Sequence, residues 1–346
     1  MDSAPETAST VWPARVGSSR RSVLGGALAA ALSAPLTGAA RGDLVWGVNG
    51  HPFTAYPGIP LEQQLDLTRD LGMTSYRVNG AGVAELDHIL PLAEARGIAI
   101  LPILEVDGWT DSPLPQVRER AFELGRTMAR HFRGRVPVWE LGNEMENFAI
   151  IQPCEIRDDG TKYPCEWGPA GGVGPLEYVG ARWAQVSAAL DGLSKGVAEG
   201  DPKALRAMGT AGWGHLGAVE RMAQDGLAWD ITVWHDYEGV RESYLAKLAS
   251  YGRPIWITEF NAGGGNFASR AENARQLAAR IAYYRRMRTA YRIEAAHVYE
   301  LLDEPYWSDF EAHMGLYTVV RDKTRGWRVG PPKPAAKAVK RALGTT

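Results

Sequence analysis

The stretch SYRVNGAGVAELDHILPLAEARGIAILPIL, residues 75–104, carries the pattern that decides the fold. It opens on a short apolar and aromatic run, Ser75–Asn79. A segment with helical spacing follows, Ala84–Arg96. Gly97 stands where a helix end wants a left-handed residue. A second apolar run, Ala99–Leu104, closes the unit. Strand, helix and strand within thirty residues make a βαβ unit with parallel strands.

Working outward, the same alternation covers the chain after Arg41. Strands are expected at Leu44–Asn49, Ser75–Asn79, Ala99–Leu104, Val136–Leu141, Arg206–Thr210, Ile231–His235, Ile255–Phe260 and Ala295–Leu301. Helices are expected at Leu61–Leu71, Ala84–Arg96, Leu114–Phe132, Glu177–Gly196, Leu216–Asp225, Tyr244–Tyr251 and Ala271–Tyr291. Gly72, Gly134 and Gly252 punctuate helix ends as Gly97 does. Eight such units predict an α/β fold of the (β/α)8 type, a TIM barrel of about 250 residues plus insertions. A doubly wound open sheet is the rival. It favours a nucleotide fingerprint after the first strand, and Gly47-Val48-Asn49-Gly50-His51-Pro52 has the wrong spacing. No internal repeat of about 20–50 residues appears, so residues 41–346 read as one domain.

The first forty residues read as an address. Ser19-Arg20-Arg21-Ser22-Val23-Leu24 precedes a short apolar stretch ending near Ala34, and small residues close it at Gly38-Ala39-Ala40. Charged start, apolar core and small-residue cleavage site make a secretion signal. The adjacent arginines resemble a twin-arginine signal, whose partner is the machinery that exports folded proteins. An ordinary secretory signal and an uncleaved tail are the alternatives. About twelve apolar residues do not reach the roughly twenty of a membrane span. The mature chain is therefore expected to be bacterial, periplasmic or extracellular, without stable membrane insertion, and a monomer.

Composition narrows the function classes. The chain has 346 residues, 45% hydrophobic and 23% charged, with 38 basic and 40 acidic side chains. A net charge of −2 gathers neither nucleic acid nor an anionic membrane. Two cysteines exclude a disulfide-rich scaffold and a four-cysteine zinc site. Both lie in the long Gly- and Pro-rich connection from Asn143 to Gly174. In an exported protein Cys154 and Cys165 are expected to form a disulfide, with two free thiols as the alternative. The seven histidines show no His-Glu-x-x-His spacing and no phosphate-binding loop is present, so neither metal nor cofactor is expected. The runs Gly171-Gly172-Val173-Gly174 and Gly263-Gly264-Gly265 read as flexible cleft loops.

Catalytic groups of a barrel come from the C-terminal ends of its strands. Strand four ends Trp139-Glu140-Leu141-Gly142-Asn143-Glu144, and strand seven ends Trp256-Ile257-Thr258-Glu259-Phe260. A glutamate in an apolar run is costly unless paired or used. Strands four and seven lie nearly opposite on an eight-stranded ring, so Glu144 and Glu259 face each other across the mouth. Two carboxylates flanking one bond are what glycoside hydrolysis requires.

These two segments closely resemble the acid/base and nucleophile segments of clan A glycoside hydrolases, a set of retaining (β/α)8 enzymes. The resemblance extends over most of residues 44–340. It includes Gly315-Leu316-Tyr317 and Pro332-Lys333-Pro334-Ala335-Ala336, similar to the clan's closing segment. It implies Glu144 as general acid/base and Glu259 as nucleophile. It implies that Asn143 binds the sugar 2-hydroxyl and that Arg77 orients Glu259 and keeps it ionised. His235 and Tyr237 match a His-x-Tyr at strand six that contacts Glu259 or the sugar. The chain departs from the pattern at strand eight. Many members carry a tryptophan there; this sequence has Tyr299-Glu300, with Tyr299 as a sugar platform or Glu300 as a hydroxyl ligand. Such segments look like relatives in families 39 and 5 that process bacterial exopolysaccharides.

The implied reaction is double displacement on a β-linked carbohydrate substrate, endo-acting on a bacterial exopolysaccharide or plant cell-wall glycan. Trp109, Trp167, Trp213 and Trp307 are candidate sugar platforms or packing residues. A transglycosylase and a non-catalytic carbohydrate-binding barrel are the alternatives.

Overall fold

The structure is a computed structural model. It describes residues 44–345 except 57, 264–267, 306–310 and 325. The proposed address segment, Gly264, Gly265 and Trp307 therefore lie outside the described residues.

Eight parallel strands close into a barrel in the order of the sequence. They are β1 (Val45–Gly50), β2 (Ser75–Val78), β3 (Ala99–Leu104), β4 (Val138–Leu141), β5 (Leu205–Thr210), β6 (Ile231–Asp236), β7 (Ile255–Phe260) and β8 (Ile293–Val298). Between them run α1 (Leu61–Asp70), α2 (Val83–Glu94), α3 (Leu114–His131), α4 (Gly180–Gly200), α5 (Leu216–Gln224), α6 (Glu242–Ala249) and α7 (Arg270–Tyr291). The barrel closes where β1 pairs with both β2 and β8. The strands read as nearly continuous apolar runs because both faces are covered. Leu101, Val138, Ala207, Ile231, Val233, Trp256 and Ala295 fill the interior. A larger core packs between strands and helices.

Most boundaries move by one to three residues from the sequence reading, and three of the changes have a plain cause. Strand β4 starts at Val138, not Val136, because Pro137 has no N–H for a ladder. Strand β8 spans Ile293–Val298, and Tyr299 to Leu301 leave the ladder to build the rim. Helix α4 runs on to Gly200, because Gly192, Gly196 and Gly200 form its contact face against α3. A Cβ on Gly196 would stand 2.2 Å from the Phe122 carbonyl oxygen, so only glycine permits that approach. Sequence reasoning did not foresee the hairpin β9 (Tyr317–Asp322) and β10 (Gly326–Pro332), nor the closing helix α8 (Pro334–Leu343).

The long connection after β4 is ordered by its own contacts. Cys154 and Cys165 form the expected disulfide. Arg182 grips Glu155 through both carboxylate oxygens, at 2.6 and 2.7 Å. Among the described residues, no helix is long and apolar enough to cross a membrane.

Candidate active site

The site grows from the register of the barrel. Pairing sets Asn49 of β1 level with Arg77 of β2, and His235 of β6 level with Glu259 of β7. All four side chains are buried inside the C-terminal mouth.

Arg77 is the hub. A guanidinium carries five N–H donors in a rigid fork. Nε and Nη2 donate to Glu140, each at 2.7 Å. Nη1 donates to Asn49 Oδ1 at 2.7 Å and to Glu259 Oε1 at 2.5 Å. Nη2 also donates to Asn143 Oδ1 at 2.8 Å. Every donor is used, and one side chain ties β1, β4 and β7 to β2. Burial works against its charge, and the carboxylates of Glu140 and Glu259 outweigh it, raising the Arg77 pKa. In return, burial of Glu140 is overcome by the Arg77 charge and by His235, whose Nε2 lies 4.0 Å away, and these hold Glu140 down at about 2.

Glu259 has 6% of its side chain exposed. Its second oxygen accepts from Tyr237 Oη at 2.5 Å. Burial and the Glu259 charge push the tyrosine pKa well up, so Tyr237 stays a donor. Glu144 is reached through a sharp turn: Gly142 has φ of +72° and Glu144 itself φ of +46°. Left-handed backbone at a non-glycine residue is strained, and such strain collects at functional sites. Its carboxylate, 29% exposed, accepts from His235 Nδ1 at 2.7 Å and from Asn147 Nδ2 at 3.1 Å. His235 Nδ1 also lies 3.4 Å from Glu259. Burial opposes the imidazolium, but the Glu259 charge, the nearby Glu140 and the hydrogen bond to Glu144 raise His235 to about 10. His235 Nδ1 therefore stands between the two carboxyl groups. One oxygen of Glu144 and one of Glu259 lie within 4.8 Å of each other.

Asn49, Arg77, Asn143, Glu144 and Glu259 line a cavity of about 450 Å³ at the mouth, together with His51, Tyr299, Glu304 and Glu311. Tyr299 meets Tyr237 and His51 edge to face, at 5.8 and 5.6 Å between centroids. Glu300 is fully buried and accepts from Tyr56 at 2.9 Å, so it stands behind the cavity wall rather than in it. Burial first, then the Glu304 charge, raise its pKa well above the carboxylate range.

The structure thus brings together Arg77, Asn143, Glu144, His235, Tyr237, Glu259 and Tyr299. Sequence reasoning missed Glu140, Asn49 and His51. Glu140 offered the same signal as Glu259, a carboxylate inside an apolar strand. Trp167 and Trp213 are each 56% exposed in the loops after β4 and β5. Trp109 is half-buried against Phe148.

Comparison with solved structures places the chain among (β/α)8 barrels. It is similar to xylanase 10B from Thermotoga maritima, at 14% identity and a TM-score of 0.56, covering 87% of this chain and 95% of that one. It is similar to an aphid myrosinase, at 12% identity and a TM-score of 0.59, covering 88% and 98%. It is also similar to a β-glucosidase mutant derived from a hyperthermophilic tetrameric structure, at 13% identity and a TM-score of 0.60, covering 87% and 94%. No family model and no curated protein sequence matches the chain. At these identities the likeness establishes the fold.

Proposed function

We propose that this protein is a retaining glycoside hydrolase of the clan A type, acting on β-linked polysaccharides or oligosaccharides. The observation that carries the reading is the carboxylate pair. Oxygens of Glu144 and Glu259 lie within 4.8 Å of each other, each held by different donors. A spacing of about 5–5.5 Å between carboxyl groups suits direct attack, whereas about 6.5–9.5 Å leaves room for a water. Barrels solved as a xylanase and a β-glucosidase support the same reading.

In the proposed mechanism Glu259 attacks the anomeric carbon while Glu144 gives its proton to the leaving oxygen. A glycosyl ester forms on Glu259. Glu144, now ionised, takes a proton from water, and the water opens the ester with net retention. Arg77 and Tyr237 fix the attacking carboxylate at both oxygens. Asn143, its oxygen committed to Arg77, has its NH2 left to donate to a sugar hydroxyl. Exposed Trp167 and Trp213 offer flat apolar faces for further sugars and favour endo action on an exopolysaccharide or cell-wall glycan. The enzyme acts outside the cytoplasm as a monomer, with which the Cys154–Cys165 disulfide is compatible.

The test is a panel of β-linked glycans and aryl β-glycosides with the parent protein and Glu259→Gln. A fluorinated mechanism-based glycoside should add its sugar mass to the peptide containing Glu259, and NMR should show the β-anomer released first. Label on another residue, or the α-anomer first, would overturn the assignment.

A further inference from the structure

Two groups of metal-type donors converge among the described residues. One is the catalytic set Glu144, His235 and Glu259. The other is His51, just after β1, with Glu300 and Glu304, just after β8. In each set, one donor atom per residue lies within 4.8 Å of the other two.

Their hydrogen-bond accounts differ. In the catalytic set, Arg77, Tyr237, Asn147 and the imidazolium already serve the carboxylates. A protonated imidazole is not a ligand. In the second set, His51 Nδ1 meets Asn79 Oδ1 at 3.0 Å. That oxygen only accepts, so the proton sits on Nδ1 and Nε2 keeps its lone pair. His51 Nε2 is sealed from solvent with no hydrogen-bond partner, and so is Glu300 Oε1. Glu300 has no exposed surface, and Glu304 has 7%. A buried polar atom left unpaired calls for a water or an ion as its partner.

The distances bear on which partner. His51 Nε2 stands 3.5 Å from Glu300 Oε2, the oxygen that also accepts from Tyr56 at 2.9 Å. Two ligands at about 2.0–2.2 Å from a tetrahedral ion lie about 3.4 Å apart. Asn79 behind the far ring nitrogen is the outer contact that fixes a metal-bound histidine. With the Glu300 proton displaced on binding, one imidazole with two carboxylates suits zinc better than calcium or magnesium.

We infer that His51, Glu300 and Glu304 form a binding site for a zinc-type divalent ion, which pins the segment after β1 to the segment after β8. His51 and Glu304 line the catalytic cavity, so the ion braces one wall of it. The inference stands apart from the glycosidase reading, since it concerns binding and needs no substrate.

The experiment uses the chelator-stripped protein, residues 41–346, titrated with zinc chloride and separately with calcium chloride. Calorimetry and thermal melting are the readouts. One equivalent of zinc should bind and raise the melting temperature, and calcium should do neither. His51→Ala and Glu304→Gln should each weaken binding by at least about a hundredfold, and Asn79→Leu by about tenfold, as loss of an outer partner does. Glu144→Gln should bind zinc like the parent. If His51→Ala does not fold, the other two variants carry the test. Absence of zinc uptake, uptake indifferent to all three variants, or uptake lost in Glu144→Gln would overturn the site.

Discussion

Replacing Arg77 by lysine keeps the charge and removes the fork. Arg77 donates five hydrogen bonds, to Glu140 twice and to Asn49, Asn143 and Glu259 once each. A lysine ammonium has three donors, so at least two acceptors lose their partner. A hydrogen bond to a charged group is worth about 1.5–3 kcal/mol, so two losses amount to about 3–6 kcal/mol. Solvent compensates little, because Arg77 is only 2% exposed. For a barrel of this size each kcal/mol moves the midpoint by about 2 °C, which gives a fall of roughly 6–12 °C. Scanning calorimetry on the parent and Arg77→Lys measures it. Glu259 also loses the donor that fixes one oxygen, and a shift of about 1 Å costs about a hundredfold in rate. A fall of less than about 2 °C would refute the claim that all five bonds bear on stability.

Other outcomes follow from the same site. Glu144→Gln should lower turnover of aryl β-glycosides by about 10²–10⁴-fold at unchanged melting temperature, and normal turnover would remove its acid/base role. His235 is raised from 6.5 to about 10, chiefly by the Glu259 charge against the opposing effect of burial. Its contribution is therefore complete below pH 6.5 and lost as pH rises through about 10. Melting temperature should fall across that window, and His235→Gln should flatten the fall. Glu140, held near 2 against burial by Arg77, contributes fully above pH 4.5 and loses that contribution as pH falls through about 2. Gly142→Ala meets a φ of +72° and places a Cβ 2.2 Å from the Met145 sulfur; activity should drop more than stability, because Glu144 moves. Reducing Cys154–Cys165 should cost about 3 kcal/mol at most and leave the barrel's circular dichroism intact.

The barrel was legible because each strand is buried on both faces and therefore written in apolar residues, as in Ile255–Phe260. Glu144 and Glu259 stood out as carboxylates at the ends of such runs. Asn49 did not, since one asparagine at a strand end has many ordinary uses. Its part depends on a pairing with Arg77 that only register reveals. The hairpin at Tyr317–Pro332 was illegible for a different reason. It lies on the surface with little burial, so no alternating pattern marks its strands. Glu300 was readable as unusual, but its burial behind the cavity wall was not, because its neighbours Tyr56 and His51 come from the far end of the chain.

Asn49 donates from one amide to the carbonyls of Thr258 and Val298, 209 and 249 residues further along. The same residue receives Arg77. Biosynthesis delivers these partners in order, β1 early and β8 near the end. A nascent chain halted before Val298 therefore carries Glu144 and Glu259 in its sequence but has no closed ring to aim them. Competence arrives with the last strand, so truncated products are expected to be inert rather than weakly active.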